Sequence, residues 1–311
     1  MTSAFPDRLA ALVEERRSQV VLGLDPDPAA LWPAALEEEL AGTGDAPGGV
    51  PERTARAVAR HCRAAIEAAG PACVAVKLQA ACFERLGAPG WAALAEACEA
   101  GRSAGLLVIA DGKRGDVPHT AAAYAQALVG ETPTPFGLVS GLGADAMTLN
   151  PLLGRDALAP LIDAARSRGA GSFVLVRTSN EGAAEIQDEA PAGSPPLRER
   201  LGRLVDALGA GGIAECGLAD VGAVVAATEP ELLAGLRDVM PRAVFLLPGV
   251  GAQGATPADV ARAFTSGPAS ALVSVARDVI YAFRVSGMDW RSAAAAEASR
   301  YARETWAVSG W

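Results

Sequence analysis

The segment Leu106–Tyr124, LLVIADGKRGDVPHTAAAY, places Asp111, Lys113 and Asp116 directly after an apolar run. A run such as Leu106–Ala110 reads as a parallel strand covered on both faces. In extended chain, residues two apart share a side, so the Asp111 carboxylate and the Lys113 ammonium are expected to project together. Gly112 and Gly115 read as the points where the backbone turns. Asp116 follows in the loop, and Thr120 or a neighbour is expected to cap the alanine-rich helix beyond. A D-x-K-x-x-D string alone is a solvated polar turn. Its place at a strand's carboxyl end argues for chemistry, because α/β folds put ligand sites there.

The other apolar runs end in polar residues as well: Asp25, Lys77, Asn150, Ser179, Gln253 and Arg277. Lys77, Asp111, Lys113 and Asp116 alternate in charge, which offsets part of the several kcal/mol that each isolated buried ion costs. Such an array provides a fixed electrostatic field without a metal. The glycine-rich stretch Pro248–Gly254, PGVGAQG, can bring backbone N–H groups close to an anion. With Gln253 in that stretch and Arg277 after the last strand, the pattern predicts a phosphate clamp. The two histidines add little. His61 falls within a helix and reads as structural, and His119 has no partner in the sequence. No serine nucleophile elbow and no H-E-x-x-H are present.

Positioning these groups takes a repeated strand–helix unit. Strands are expected at Val20–Leu24, Cys73–Leu78, Leu106–Ala110, Ala144–Leu149, Ser172–Val176, Val221–Ala226, Ala243–Leu247 and Ala271–Val275. Helices are expected at Pro6–Arg17, Thr54–Ala69, Trp91–Ser103, Arg155–Arg168, Leu197–Leu208, Glu231–Val239, Pro257–Phe264 and Arg291–Trp306. No hairpin signal is read between the strands. This alternation predicts an α/β protein with a closed (β/α)8 TIM barrel, a single domain over 1–311 with short N- and C-terminal helices. A doubly wound open sheet is the alternative, disfavoured because no G-x-G-x-x-G follows the first strand. The Pro/Gly-rich connection around AGTGDAPGGV reads as an exposed loop, and Glu181–Pro196 as a long mobile one.

The chain has 311 residues, 50% hydrophobic, with a formal net charge of −9 and no basic cluster, which disfavours nucleic-acid binding. Its five cysteines show no C-x-x-C spacing and read as buried free thiols. Without a signal segment or a membrane-length apolar run, a cytoplasmic protein is expected.

Taken together, DGKRGDVPHTAAAYA, Leu24-Asp25, Lys77, TSNEG, PGVGAQG and SVARDVIYA follow in the order of a known family. The chain resembles orotidine 5'-phosphate decarboxylase; RTSN, ADAMTLNP and the chain length are similar to its longer bacterial branch. The resemblance implies cofactor-free decarboxylation of orotidine 5'-phosphate to uridine 5'-monophosphate in de novo pyrimidine biosynthesis. It implies that Asp25 and Lys77 hold ribose hydroxyls, Asp111 sits beside the substrate carboxylate, and Lys113 protonates C6. It implies a homodimer in which Asp116 and Thr120 reach the neighbouring site. Ser179 would read the pyrimidine, Pro248 would border it, and Gln253 and Arg277 would hold the phosphate. Two rivals remain, the first on the same barrel and the second of a different class. One is a metal-assisted sugar-phosphate decarboxylase or lyase, which would use an acidic residue where Lys77 stands. The other is a non-catalytic nucleotide-binding protein, which would not need the charged tetrad.

Overall fold

The computed structural model describes residues 3–41 and 48–311. Eight parallel strands close into a barrel in sequential order. They are β1 (Val20–Leu24), β2 (Ala75–Gln79), β3 (Leu107–Arg114), β4 (Ala146–Leu149), β5 (Gly171–Arg177), β6 (Ala219–Val225), β7 (Ala243–Pro248) and β8 (Ala271–Val275). Closure is made by β8 against β1, with Val20 opposite Val273. The open-sheet alternative is thereby excluded. Among the described residues, no helix is long and apolar enough to cross a membrane, and all five cysteines are free thiols, though Cys216 is exposed and Cys82 half-buried, against the expectation of burial.

The strands read as unbroken apolar runs because each serves two cores. Val21, Ala75, Leu107, Ile109, Ala146, Phe173, Leu246 and Leu272 form one cluster, joined by Phe5, Leu9 and Val13 from the first helix, Phe5–Arg16. That helix floors the barrel. The alternate residues, among them Leu22, Leu24, Val76, Leu78 and Val108, pack outward against helices such as Val50–Ala69 and Ala88–Ser103. Side chains alternate across a strand, so the interior parity continues upward from Ala75 to Lys77, from Ile109 to Asp111 and from Ala146 to Thr148. The polar tier at the barrel mouth therefore stands directly on the apolar tier below it.

Several expectations are corrected. An antiparallel hairpin, Glu131–Thr134 with Gly137–Ser140, leaves the barrel between β3 and β4. Pro133 and Pro135 hid it, since proline argues against a strand everywhere except at an edge. A helix, Pro33–Ala41, occupies part of the connection after β1, and the next helix begins at Val50. Most of AGTGDAPGGV lies outside the described residues. The helix after β3, Pro118–Leu128, starts with proline in its first turn and has no side-chain cap; Thr120 is inside it. The segment expected to be a mobile loop carries helical turns at Glu181–Ala183 and Ala184–Gln187 and is tied down by ion pairs described below.

His61 is structural, as its position in a helix suggests. It is buried, its Nδ1 accepts the Trp32 backbone N–H at 3.1 Å, and its ring meets the Trp32 indole edge-on. Burial pushes its pKa down from 6.5 to about 4. The unfolded chain thus binds a proton below pH ~6.5 that the folded chain refuses until about 4. Stability from this group should fall by roughly 3 kcal/mol as pH drops through that window. His61→Asn keeps an acceptor for Trp32 and cannot titrate. Urea unfolding of both proteins at neutral and acidic pH should show the variant losing less stability on acidification. Identical losses would show that His61 is not held neutral.

Candidate active site

The mouth of the barrel holds a cavity of about 470 Å³. Its wall includes Asp25, Lys77, Asp111, Lys113, Ser179, Pro248 and Gln253, so residues from separate strand ends converge as the barrel expectation requires. Asp111 is at its centre and is 3% exposed. Its Oδ2 accepts from the Lys77 ammonium at 2.6 Å, and its Oδ1 from the Lys113 ammonium at 2.7 Å. Lys77 also comes within 4.0 Å of Asp25. Burial works to raise the Asp111 pKa, but the charges of Lys77 and then Lys113 outweigh it and hold the carboxyl far below the usual range. Burial works equally against the Lys77 charge, and Asp111, followed by Asp25, raises its pKa in spite of it. Asp111 and Lys77 therefore stay charged side by side although both are buried.

The meeting of Asp111 and Lys113 does not come from plain extended chain. Neither Gly112 nor Gly115 adopts a positive φ; Lys113 does, at +48°. The β3–β4 register slips between Ala110 and Arg114, so Lys113 sits in a bulge. A left-handed conformation at a residue with a Cβ costs on the order of 1–3 kcal/mol and persists only where neighbours over-determine it. Two neighbours do so here. The Lys113 N–H donates to Thr148 Oγ1 at 2.8 Å, and the Thr148 hydroxyl donates to Asp111 Oδ1 at 2.7 Å. Gly115 serves close approach instead. A Cβ there would stand 2.5 Å from the Asn150 carbonyl oxygen, so its lack of one lets the loops after β3 and β4 touch.

Thr148 carries no role in the sequence reading, nor do Gln79, Gln187 and Ser274 on the same wall, while Thr178 and Asn180 there enter it only as part of TSNEG. Thr148, Gln79 and Ser274 were within reach of the two-residue parity, which continues each strand's inward face by one step. Gln79 is satisfied with its amide nitrogen 2.7 Å from the Asp111 carbonyl and its oxygen 3.1 Å from the Lys113 ammonium.

Other residues singled out in the sequence stand apart from this wall. Asn150 follows β4, and its Oδ1 accepts the Leu152 N–H, a turn contact. Asp116 folds back on its own backbone, accepting the Val117 N–H at 2.7 Å. Thr120 is half-buried in the helix Pro118–Leu128. Arg277 is exposed and opens the short helix Arg277–Ile280 after β8. The glycine-rich loop is built on Gly249, Gly251 and Gly254, whose φ values of +112°, +84° and +99° suit only glycine. It leans on Asp278, which accepts the Tyr301 hydroxyl at 2.8 Å. A Cβ on Gly251 would strike that Asp278 carboxylate. Among the described residues, no group of three or more His, Cys, Asp or Glu side chains is arranged to hold a metal ion.

Comparison with known proteins shows the family and the fold. The family model described as orotidine 5'-phosphate decarboxylase / HUMPS family matches residues 18–283. The chain is 46% identical over 217 residues to an orotidine 5'-phosphate decarboxylase of Deinococcus radiodurans, covering 70% of this chain and 75% of the relative. It is 37% identical over 280 residues to that of Rhodopirellula baltica, covering 90% and 89%. Among solved structures, the OMP decarboxylase of Leishmania donovani superposes with a TM-score of 0.71 at 28% identity, over 99% of each chain.

The ion array makes a stability prediction. Lys77→Met leaves the Asp111 carboxylate buried with one partner fewer and should cost about 3–5 kcal/mol. Lys77→Met combined with Asp111→Leu removes the stranded charge and should recover much of that loss. Denaturant unfolding of the three proteins is the check. A single variant as stable as the parent would mean that the pair is not desolvated.

Proposed function

The chain belongs to the orotidine 5'-phosphate decarboxylase / HUMPS family, and from that premise we propose that it is a carboxy-lyase converting orotidine 5'-phosphate to uridine 5'-monophosphate and carbon dioxide. The step serves de novo pyrimidine biosynthesis in the cytoplasm. The observation that carries this reading is the Asp111 carboxylate held between the Lys77 and Lys113 ammonium groups at 2.6 and 2.7 Å.

The chemistry explains why such an array is needed. Breaking the bond from C6 to the carboxylate leaves an electron pair on an sp² carbon with no neighbouring electron sink. Without a cofactor, the charge must be met by a preformed cation, which Lys113 supplies before donating its proton to C6. Asp111 lies beside the substrate carboxylate and fixes both lysines. Asp25 and Lys77 take the ribose hydroxyls, Ser179 the pyrimidine edge, and Pro248 its face. Gln253 and the Arg277 guanidinium take the phosphate, whose remote binding energy helps bring like charges together at the reacting end. The metal-assisted sugar-phosphate reading is the weaker one, because Lys77 puts an ammonium where a cation would otherwise be held.

Asp116 and Thr120 act in the site of a second copy in a homodimer. Two facts support this. Neither lines its own cavity, and exposed apolar side chains lie close to Asp116. Val117 is 54% exposed and Leu152 81% exposed, on two loops that touch through Gly115 and Asn150.

Turnover of orotidine 5'-phosphate, followed by product formation, should proceed equally with and without a chelator. Abolition by the chelator would favour the metal-assisted rival. Lys113→Ala should stay folded and still bind uridine 5'-monophosphate, with turnover reduced by about 10²–10⁴-fold or more. Substantial remaining decarboxylation would remove Lys113 from the proton-donor role.

The shared site has its own test. Lys113→Ala and Asp116→Asn homodimers should each be inactive. In a mixed dimer one site carries both defects and the other neither, so random reassortment should restore about a quarter of parental activity. Tagged subunits establish that exchange has occurred. Inactive mixed dimers would confine Asp116 to its own subunit.

A further inference from the structure

The segment after β5 is fixed from behind. Arg177 ends the strand with only 5% of its side chain exposed. Its guanidinium grips both oxygens of Asp188, at 3.0 and 3.1 Å, and reaches Glu229 at 3.4 Å. Arg198, on the helix Leu197–Gly209, adds a bond to the same carboxylate at 2.8 Å. Burial works to raise the Asp188 pKa, and Arg177 and then Arg198 overcome it, keeping the group below its ordinary range. The long connection between β5 and its helix would otherwise be free to move; this cluster nails its middle to the end of the strand.

One residue before that anchor, Gln187 lines the cavity. Both ends of its amide are spent on one neighbour. Its Oε1 accepts the Thr178 N–H at 2.8 Å, and its Nε2 donates to Thr178 Oγ1 at 2.9 Å. The Thr178 hydroxyl in turn donates to Asn180 Oδ1 at 2.7 Å. The two residues flanking Ser179 are thus set by a single side chain, and that side chain is itself set by the Arg177–Asp188–Arg198 cluster.

We propose that Gln187 is the positioning residue for Ser179, with Asp188 as its anchor. The proposal rests on the reading of Ser179 as a pyrimidine contact. A pyrimidine edge offers carbonyl oxygens and an imide N–H, which are read only by a partner held at a defined place. A serine on a loose loop would have to be ordered at each binding event, which weakens the complex. Here the ordering is completed when the chain folds.

Two measurements test this. Amide hydrogen exchange on the free protein reads the tie directly: in Gln187→Ala the Thr178 amide should exchange about tenfold faster, as expected for the loss of one hydrogen bond. Gln187→Glu retains an acceptor and should keep most of the protection, whereas Gln187→Leu, which fills the same space without an acceptor, carries the same test should the alanine variant fail to fold. Unchanged exchange at Thr178 in Gln187→Ala overturns the proposal. The second measurement is a double-mutant cycle with Ser179→Ala in orotidine 5'-phosphate turnover. Gln187→Ala should raise KM several-fold in the parent and have no further effect once Ser179 is gone. Additive losses overturn the proposal, since Gln187 would then act independently of Ser179. Failure of the parent to turn over orotidine 5'-phosphate would instead remove the reading of the site, while the exchange result still judges the tie.

Discussion

A carboxylate can stay ionised in the throat of a barrel only if cations are held against it, and Asp111 is the point on which the rest of the site depends. Lys77 approaches from β2 and Lys113 from β3 itself, at 2.6 and 2.7 Å. Neither lysine could be replaced by a neutral group without stranding a charge, and neither would be positioned without the carboxylate. The closed sheet supplies the geometry: Gln79 on β2 lies in register with Asp111 on β3, one pleat above Lys77 opposite Ile109. The same interior parity that stacks Ala75, Leu107 and Ile109 into an apolar plug brings the charges together one tier higher. The plug excludes water from below and so strengthens the field above it.

The backbone is less relaxed where the proposed proton donor sits. Lys113 is one of two non-glycine residues with positive φ among the described residues, the other being Arg17 at a helix end. Thr148 is what makes the conformation hold, by accepting from the Lys113 N–H and donating to Asp111. Strain of this kind fixes the direction of an ammonium before any substrate arrives, which is the requirement for electrostatic catalysis with little reorganisation.

The barrel was legible because periodicity and punctuation agree over the whole length. Each of the eight apolar runs became a strand, and Asp25, Lys77, Asp111 and Lys113 were legible as its polar rim. What escaped notice has physical reasons. Thr148 looks like one more residue of an apolar run, since a single hydroxyl does not break the pattern, and its function depends on a partner 37 positions away. The sequence points to Gly112 and Gly115 as the places where the backbone turns, because it offers no way to see strain borne by a lysine. The Glu181–Pro196 segment reads as loose from its prolines and glycines, while the pairing of Arg177 with Asp188 and Arg198 is a tertiary event. Asp116 and Arg277 stand out in the sequence by charge alternation and by place after a strand, and Thr120 as a cap candidate, yet all three stand off the cavity wall.

The hairpin between β3 and β4 has a bearing on how this protein behaves in a crowd of its own copies. It presents Phe136 in its turn at 98% exposure and Leu138 on its second strand at 67%, and its two strands have no further neighbours in the sheet. Bare edges of that kind invite another chain to add a strand. The Gly141 N–H bonds the Gly130 carbonyl at 3.0 Å, and the alternation of an antiparallel ladder then makes 132–139 and 134–137 the bonded pairs. Positions 131 and 133 consequently turn their backbone outward, and position 133 is proline. The outer edge of the first strand thus lacks a donor where a docking strand would need one, and Glu131 beside the gap is paired with Arg168. Sequence changes that lengthen this hairpin or replace Pro133 would expose a continuous template, so the residue that concealed the hairpin from view is also its guard against aggregation.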